Sequence, residues 1–223
     1  MSARTLPALA LCCLSLAACG NGSGLLGVAG PASPASVRFV NVSASTLDLA
    51  VGGSVPAGNG NIATGTALAC FQVPDPSASG LSVRKSGTTA ELPGLLPSFS
   101  SDGRYALIAY PGASGSVLFA SLPTVFIPVT GRAALRVFNG VAAFASADVY
   151  VTAPGSAFGL PRETGIAFGR ASGSVDVAAG SNQVRLVSAG PVITELGTYV
   201  LEAGKGYTLV VVPGAPALLV PDC

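Results

Sequence analysis

Val37-Arg38-Phe39-Val40-Asn41 comes back later in the chain as Leu135-Arg136-Val137-Phe138-Asn139, and the reading of that pair decides the fold. Four further blocks return in the same order. Leu47-Asp48-Leu49-Ala50-Val51 matches Ala147-Asp148-Val149-Tyr150-Val151, and Ile62-Ala63-Thr64-Gly65 matches Ile166-Ala167-Phe168-Gly169. Leu81-Ser82-Val83-Arg84 aligns with Gln183-Val184-Arg185-Leu186, and the run from Tyr105 to Gly112 with the run from Tyr207 to Gly214. The offsets lie between 98 and 104 residues, as expected of a duplicated unit whose loops have drifted. Two homologous domains are therefore expected, at 35–122 and 131–223, joined by a linker at 123–130.

Within each unit, short apolar stretches rich in Val, Leu, Ile, Phe and Tyr are bounded by Gly, Pro, Ser and Asn, which are strand signals separated by turn signals. Alternation in Val37, Phe39 and in Leu47, Leu49, Val51 turns Arg38 and Asp48 the other way, which predicts one buried and one wet face. No stretch carries a capped helix with apolar residues three and four apart. Pro111-Gly112 and Pro213-Gly214 read as type II turns closing a hairpin, because Pro presets φ and Gly accepts positive φ. The fold class expected is all-β: two tandem antiparallel sandwiches of immunoglobulin-like type.

Composition narrows the function. The 223 residues carry 29 Gly and 17 Pro, only 9% charged residues, and no histidine. Histidine is the usual general base and the commonest metal ligand, so Ser-His-Asp, Cys-His and zinc-water mechanisms are excluded. No catalytic residue, metal ligand or cofactor site is expected. Lys and Arg (11) balance Asp and Glu (10), and the basic pair Arg84-Lys85 is too small to neutralise a phosphate backbone. Nucleic acid is thus not an expected partner.

The amino terminus resembles a bacterial lipoprotein signal. Arg4 supplies positive charge, Leu6 to Leu16 forms an apolar run, and Leu16-Ala17-Ala18-Cys19 is similar to a lipobox. The resemblance implies removal of residues 1–18 and a lipid on the Cys19 thiol, with 19–34 then a flexible tether. The apolar run is too short to span a bilayer, which takes roughly 20 residues. Two or three acyl chains at about 0.8 kcal/mol per buried CH₂ would hold the protein on the membrane. Gly20 in place of Asp after Cys19 points to the outer membrane of a bacterial envelope rather than the inner one.

Of the five cysteines, Cys12 and Cys13 would leave with the signal and Cys19 would be lipidated, so Cys70 and Cys223 remain. An oxidising envelope favours a disulfide between them. Against it stands a reading in which Cys70 is a small buried apolar side chain and Cys223 a frayed terminus. The residues alone leave both open.

The repeated order V-R-[FV]-[VF]-N, then an x-[LA]-D-[LV]-x-V strand, then G-x-x-Y-[TA]-L-[IV] before Pro-Gly, is similar to the bacterial domain of unknown function 4397. The second copy matches better, with Asp148-Val149-Tyr150-Val151 and Leu201 to Leu209; the first departs after its opening strand, at Asn41-Val42-Ser43-Ala44-Ser45. That resemblance implies a surface or secreted protein, and the family has no established activity to carry over.

Other motifs have plain readings. Gly22-Ser23-Gly24-Leu25-Leu26-Gly27 fits G-x-G-x-x-G but follows no strand and opens no helix. Ser82-Val83-Arg84-Lys85 fits S-x-x-K, yet on a strand positions three apart face opposite sides. Asp48 and Asp148 are expected to cap turns or face solvent, since Ca²⁺ would need six to eight oxygen ligands. Tyr105 and Tyr207 resemble tyrosine corners. The expected function is a non-enzymatic binding or scaffolding module, holding an envelope protein or glycan through loops such as Ser114 to Ser116 or Pro154 to Arg162. The alternative is a carbohydrate-active or glycan-accessory protein with a carboxylate-based site.

Overall fold

The computed structural model describes residues 33–74, 80–94, 99–124, 129–188 and 192–223. Cys19, the lipobox and the Gly22–Gly27 motif lie outside them. The first half holds β1 (Ala35–Asn41), β2 (Leu47–Val51), β3 (Thr66–Ala67), β4 (Phe71–Val73), β5 (Leu81–Lys85), β6 (Arg104–Pro111) and β7 (Val117–Pro123). The second holds β8 (Arg132–Asn139), β9 (Ser146–Thr152), β10 (Glu163–Ala167), β11 (Val175–Ala178), β12 (Gly180–Ser188), β13 (Val192–Leu201), β14 (Gly206–Val211) and β15 (Leu218–Pro221). The fold is all-β. A single 3₁₀ turn, Ala113–Gly115, is the one helical element among the described residues.

Four sheets result. In the first half β3 and β4 flank one edge of β1, β6 and β7 follow on the other, and β2 pairs with β5 separately. The second half forms β11-β8-β14-β15 and β10-β9-β12-β13. No strand of one half pairs with a strand of the other among the described residues.

Not every pairing is antiparallel, and this corrects the expectation. β1 runs parallel to β6 with Val37 opposite Tyr105, and β8 runs parallel to β14 with Leu135 opposite Tyr207. Between β1 and β6 the chain leaves to build β2, returns along β1 as β3 and β4, leaves again for β5, and re-enters the first sheet as β6 in the direction of β1. Parallel strands are usually covered on both faces, and these are. Phe39, Leu47, Leu49 and Leu107 fill one core; Leu135, Val149, Leu186 and Leu209 fill its counterpart in the second half. A third core unites Val40, Val42 and Ile108 with Phe138, Val210, Val212 and Val220.

The face of β1 expected to be wet is therefore buried against the other half. The run Phe39-Val40 already breaks the alternation, since both side chains are apolar and each serves a different core. Each fully buried Val, Leu or Phe contributes roughly 1.5–3 kcal/mol, so this junction is a substantial part of the stability.

Pairing register also shifts one block. Leu81 lies opposite Val51 and Val184 opposite Val151, so Leu81 corresponds to Val184 rather than to Gln183. A slip of one residue exchanges the two faces of a strand. The Pro-Gly turns diverge as well. Gly214 has the expected positive φ of 65°, but Gly112 is extended at φ −100°, and the first hairpin turns instead at Ser114 (φ 53°) and Gly115 (φ 74°).

Candidate functional site

Three pairs of equivalent side chains do the same work in both halves. Asn41 Nδ2 donates to Ser45 O and Ile62 O, each at 2.8 Å, while Asn139 Nδ2 donates to Phe144 O (2.7 Å) and Ile166 O (3.2 Å). Both Oδ1 atoms accept the N–H two residues on, from Ser43 and Val141. Asp48 Oδ1 accepts Asn61 N–H and Asp148 Oδ1 accepts Gly165 N–H, both at 2.8 Å, so each carboxylate ties a turn to its strand. Tyr105 Oη accepts Ser100 N–H at 3.0 Å, and Tyr207 Oη accepts Glu202 N–H at 3.2 Å, five residues upstream in each case.

Asp48 is held further by the Ser86 hydroxyl at 2.6 Å, with Arg84 Nε a looser 3.7 Å away. The Ser86 bond, then the Asn61 amide, lower its pKa. Ser82 and Lys85 sit on β5, at register positions opposite Ala50 and Leu47.

At the margin of the junction Cys70 is disulfide-bonded to Cys223, with Cα atoms 5.8 Å apart. Arg38 Nη1 donates to Leu68 O (3.2 Å) and Nη2 lies 3.1 Å from Cys70 Sγ. Its counterpart Arg136 donates to Pro123 O (2.8 Å) and Thr208 Oγ1 (3.1 Å), and Thr208 Oγ1 in turn donates to Asp222 Oδ1 (3.2 Å). Burial raises the Asp222 pKa, opposed by Arg136, Thr208 and Arg38, and burial likewise lowers that of Arg136. Desolvation outweighs attraction on both partners.

The outer face of the β9-containing sheet carries a cluster with no equivalent in the first half. Arg185 on β12, only 5% exposed, donates from Nη2 to Thr152 Oγ1, Ser156 O and Gln183 Oε1, each at 2.8 Å. Gln183 Oε1 also accepts Gly155 N–H. These bonds strap the 153–162 loop onto the sheet. Phe158 then lies 4.3 Å above the guanidinium and meets Tyr150 edge-on at 5.0 Å, an arrangement worth about 0.5–2 kcal/mol. Beyond it the loop projects Leu160, 89% exposed. In the first half the register puts Ser82 and Ala50 where Arg185 and Tyr150 stand. Sequence reasoning named the loop but missed Arg185, whose only signal was a charge on an otherwise apolar strand.

The other named loop, Ser114 to Ser116, is exposed and caps the β6–β7 hairpin. Two grooves flank the junction. One, about 540 Å³, is lined by Arg104, Thr124, Lys205, Tyr207, Asp222 and Cys223; the other, about 680 Å³, runs between β7 and residues 168–172. Among the described residues no three His, Cys, Asp or Glu side chains converge as metal ligands, and no helix is long and apolar enough to cross a membrane.

Compared with protein-family models and with curated proteins, the chain matches none.

Proposed function

We propose that this chain is a lipid-anchored envelope protein whose two immunoglobulin-like repeats, 35–122 and 131–223, form a non-enzymatic binding or scaffolding module related to the domain of unknown function 4397. The observation that carries the reading is the Arg185 clamp. A buried guanidinium that fixes Phe158 and holds out Leu160 does nothing for either core, and pre-ordering an apolar loop lowers the entropic cost of binding a partner. The matched Asn, Asp and Tyr hydrogen bonds support the duplication. They also occupy Asp48 and Asp148 with backbone amides, in separate halves, which disfavours the two-carboxylate glycan site.

The Cys19 anchor rests on the lipobox resemblance and is tested by Cys19→Ala, which should move the protein to the soluble fraction and abolish palmitate labelling. Membrane retention with undiminished label would remove the anchor from the proposal. The platform is tested by recovery of envelope proteins and glycans from detergent extracts with wild type and with Phe158→Ala/Leu160→Ser. Equal recovery by both would remove the loop from the binding surface.

A further inference from the structure

The last strand of each half lies against the other half, and the two arrangements are reciprocal. Two residues beyond β15, Cys223 is bonded to Cys70 of the first half. β7 faces residues 168–172 of the second half across the 680 Å³ groove. Leu68 donates its N–H to Phe39 O as Ser172 does to Val137 O, so the position matching Cys70 is Ser174. One margin is closed covalently. The other carries no such link among the described residues.

That second margin exposes backbone. Thr124 N–H donates to Arg104 O, Gly112 N–H donates to Ser116 O, and Ala106, Ile108 and Tyr110 stand opposite Leu122, Ala120 and Leu118 between them. Bonded and non-bonded pairs alternate in an antiparallel ladder, so the even-numbered residues of β7 bond to β6 and the odd ones, Val117, Phe119, Ser121 and Pro123, turn their backbone groups outward. Arg136 Nη1 takes the Pro123 carbonyl at 2.8 Å, which fits that direction. Phe119 and Ser121 have no backbone partner on this edge among the described residues. Four consecutive residues, Phe119 to Leu122, line the groove although Phe119 packs towards one core and Ala120 and Leu122 towards another. Only an edge offers both faces at once.

Charge selects the occupant. Arg136 and Arg170 line the groove and no carboxylate does. Tyr110 closes one side, held edge-on between Phe138 (5.3 Å) and Phe168 (5.6 Å) and set so close to Gly169 that a Cβ there would meet its hydroxyl at 2.7 Å. The 168–172 wall stands where a second sheet would have to approach. We propose that β7 is a strand-addition site for one extended acidic peptide segment of a partner protein, its backbone bonded to Phe119 and Ser121 and a carboxylate to the exposed Arg170. The chain's own tether, 19–34, has no acidic residue and does not meet this requirement.

The inference concerns a surface apart from the Phe158 loop and stands or falls separately. The test uses the disulfide-bonded protein with a fluorescein-labelled Glu-Val-Thr-Val-Glu peptide and its Lys-for-Glu counterpart. The acidic peptide should bind and slow exchange of the Phe119 and Ser121 amides. Arg170→Glu should weaken it at least tenfold. Ser121→Pro, which deletes only an outward N–H and spares the β6 ladder, should do the same, while Phe158→Ala leaves it unchanged. Equal binding of the two peptides, no amide protection at millimolar peptide, or a β7-dependent dimer of the chain in place of peptide binding would overturn the proposal.

Discussion

Arg38 Nη2 lies 3.1 Å from Cys70 Sγ, so a side chain of the central β1 strand touches the covalent link between the halves. The disulfide spans 153 residues of chain. In the chain-entropy argument a closed loop of this size stabilises by about 5 kcal/mol. Cys223→Ser should therefore lower the melting temperature, and because the third core is shared, one transition should report both halves. Amide exchange that speeds up in β8–β15 but not in β1–β7 would show that the link does not couple them.

Asn41 and Asn139 are buried, and each supplies both Nδ2 protons and its Oδ1 to loop backbone. Substitution by Ala removes both donated bonds and leaves the Ser43 or Val141 N–H without its acceptor, at about 1–3 kcal/mol for a buried group left unsatisfied. Asn41→Ala and Asn139→Ala should each cost about 2–4 kcal/mol in urea unfolding. Costs below about 0.5 kcal/mol, the range of an ordinary surface change, would mean that solvent replaces these bonds.

These asparagines close the first repeated block, and the sequence blocks did find the strands, the tyrosine corners and the turn-tying aspartates. Such features are local. Each is fixed by residues close in one half, and each recurs in the other. The third core is not local: Val40 and Ile108 look like ordinary strand residues until Phe138 and Val210 cover them. The parallel β1–β6 pairing depends on where the chain crosses between sheets, which no spacing encodes. Arg185 shows in the sequence only as a charge on an apolar strand, because only the fold of the 153–162 loop brings Phe158 over it. Gln183-Val184 misaligned by one residue for a similar reason, since the pairing with β9 sets the register and similarity of the strand residues does not.

Asp48 and Asp222 should respond to pH in opposite senses. The folded Asp48 pKa is depressed, by the Ser86 bond first. Its contribution is full above the unfolded value of about 3.9 and is lost as pH falls through the folded value. Asp222 is raised, by burial first. The folded state then holds the proton more tightly, so stability falls as pH climbs from about 3.9 through the raised value. Asp222→Asn should flatten that fall and gain on wild type at pH 7 relative to pH 3.5, while Asp48→Asn should lose most at neutral pH. Melting curves across that window decide it. A greater loss for Asp222→Asn at pH 7 than at pH 3.5 would make the carboxylate a net stabiliser of the junction.

Arg185 Nη2 lies 2.8 Å from three acceptors, which its two N–H groups share, while the planar guanidinium stacks on Phe158. Lysine offers a point charge and cannot both fork and stack. Hydrogen bonds to charged groups are worth roughly 1.5–3 kcal/mol, and these three share a donor, so Arg185→Met should cost about 2–3 kcal/mol in total. Much of that loss should fall on the loop. Limited proteolysis should cut Arg185→Met within 153–162 while β8 and β14 keep their amide protection, and Arg185→Lys should be cut almost as fast. If Arg185→Lys resists cleavage like wild type, charge alone holds the loop, and the stacked fork is not what presents Phe158 and Leu160.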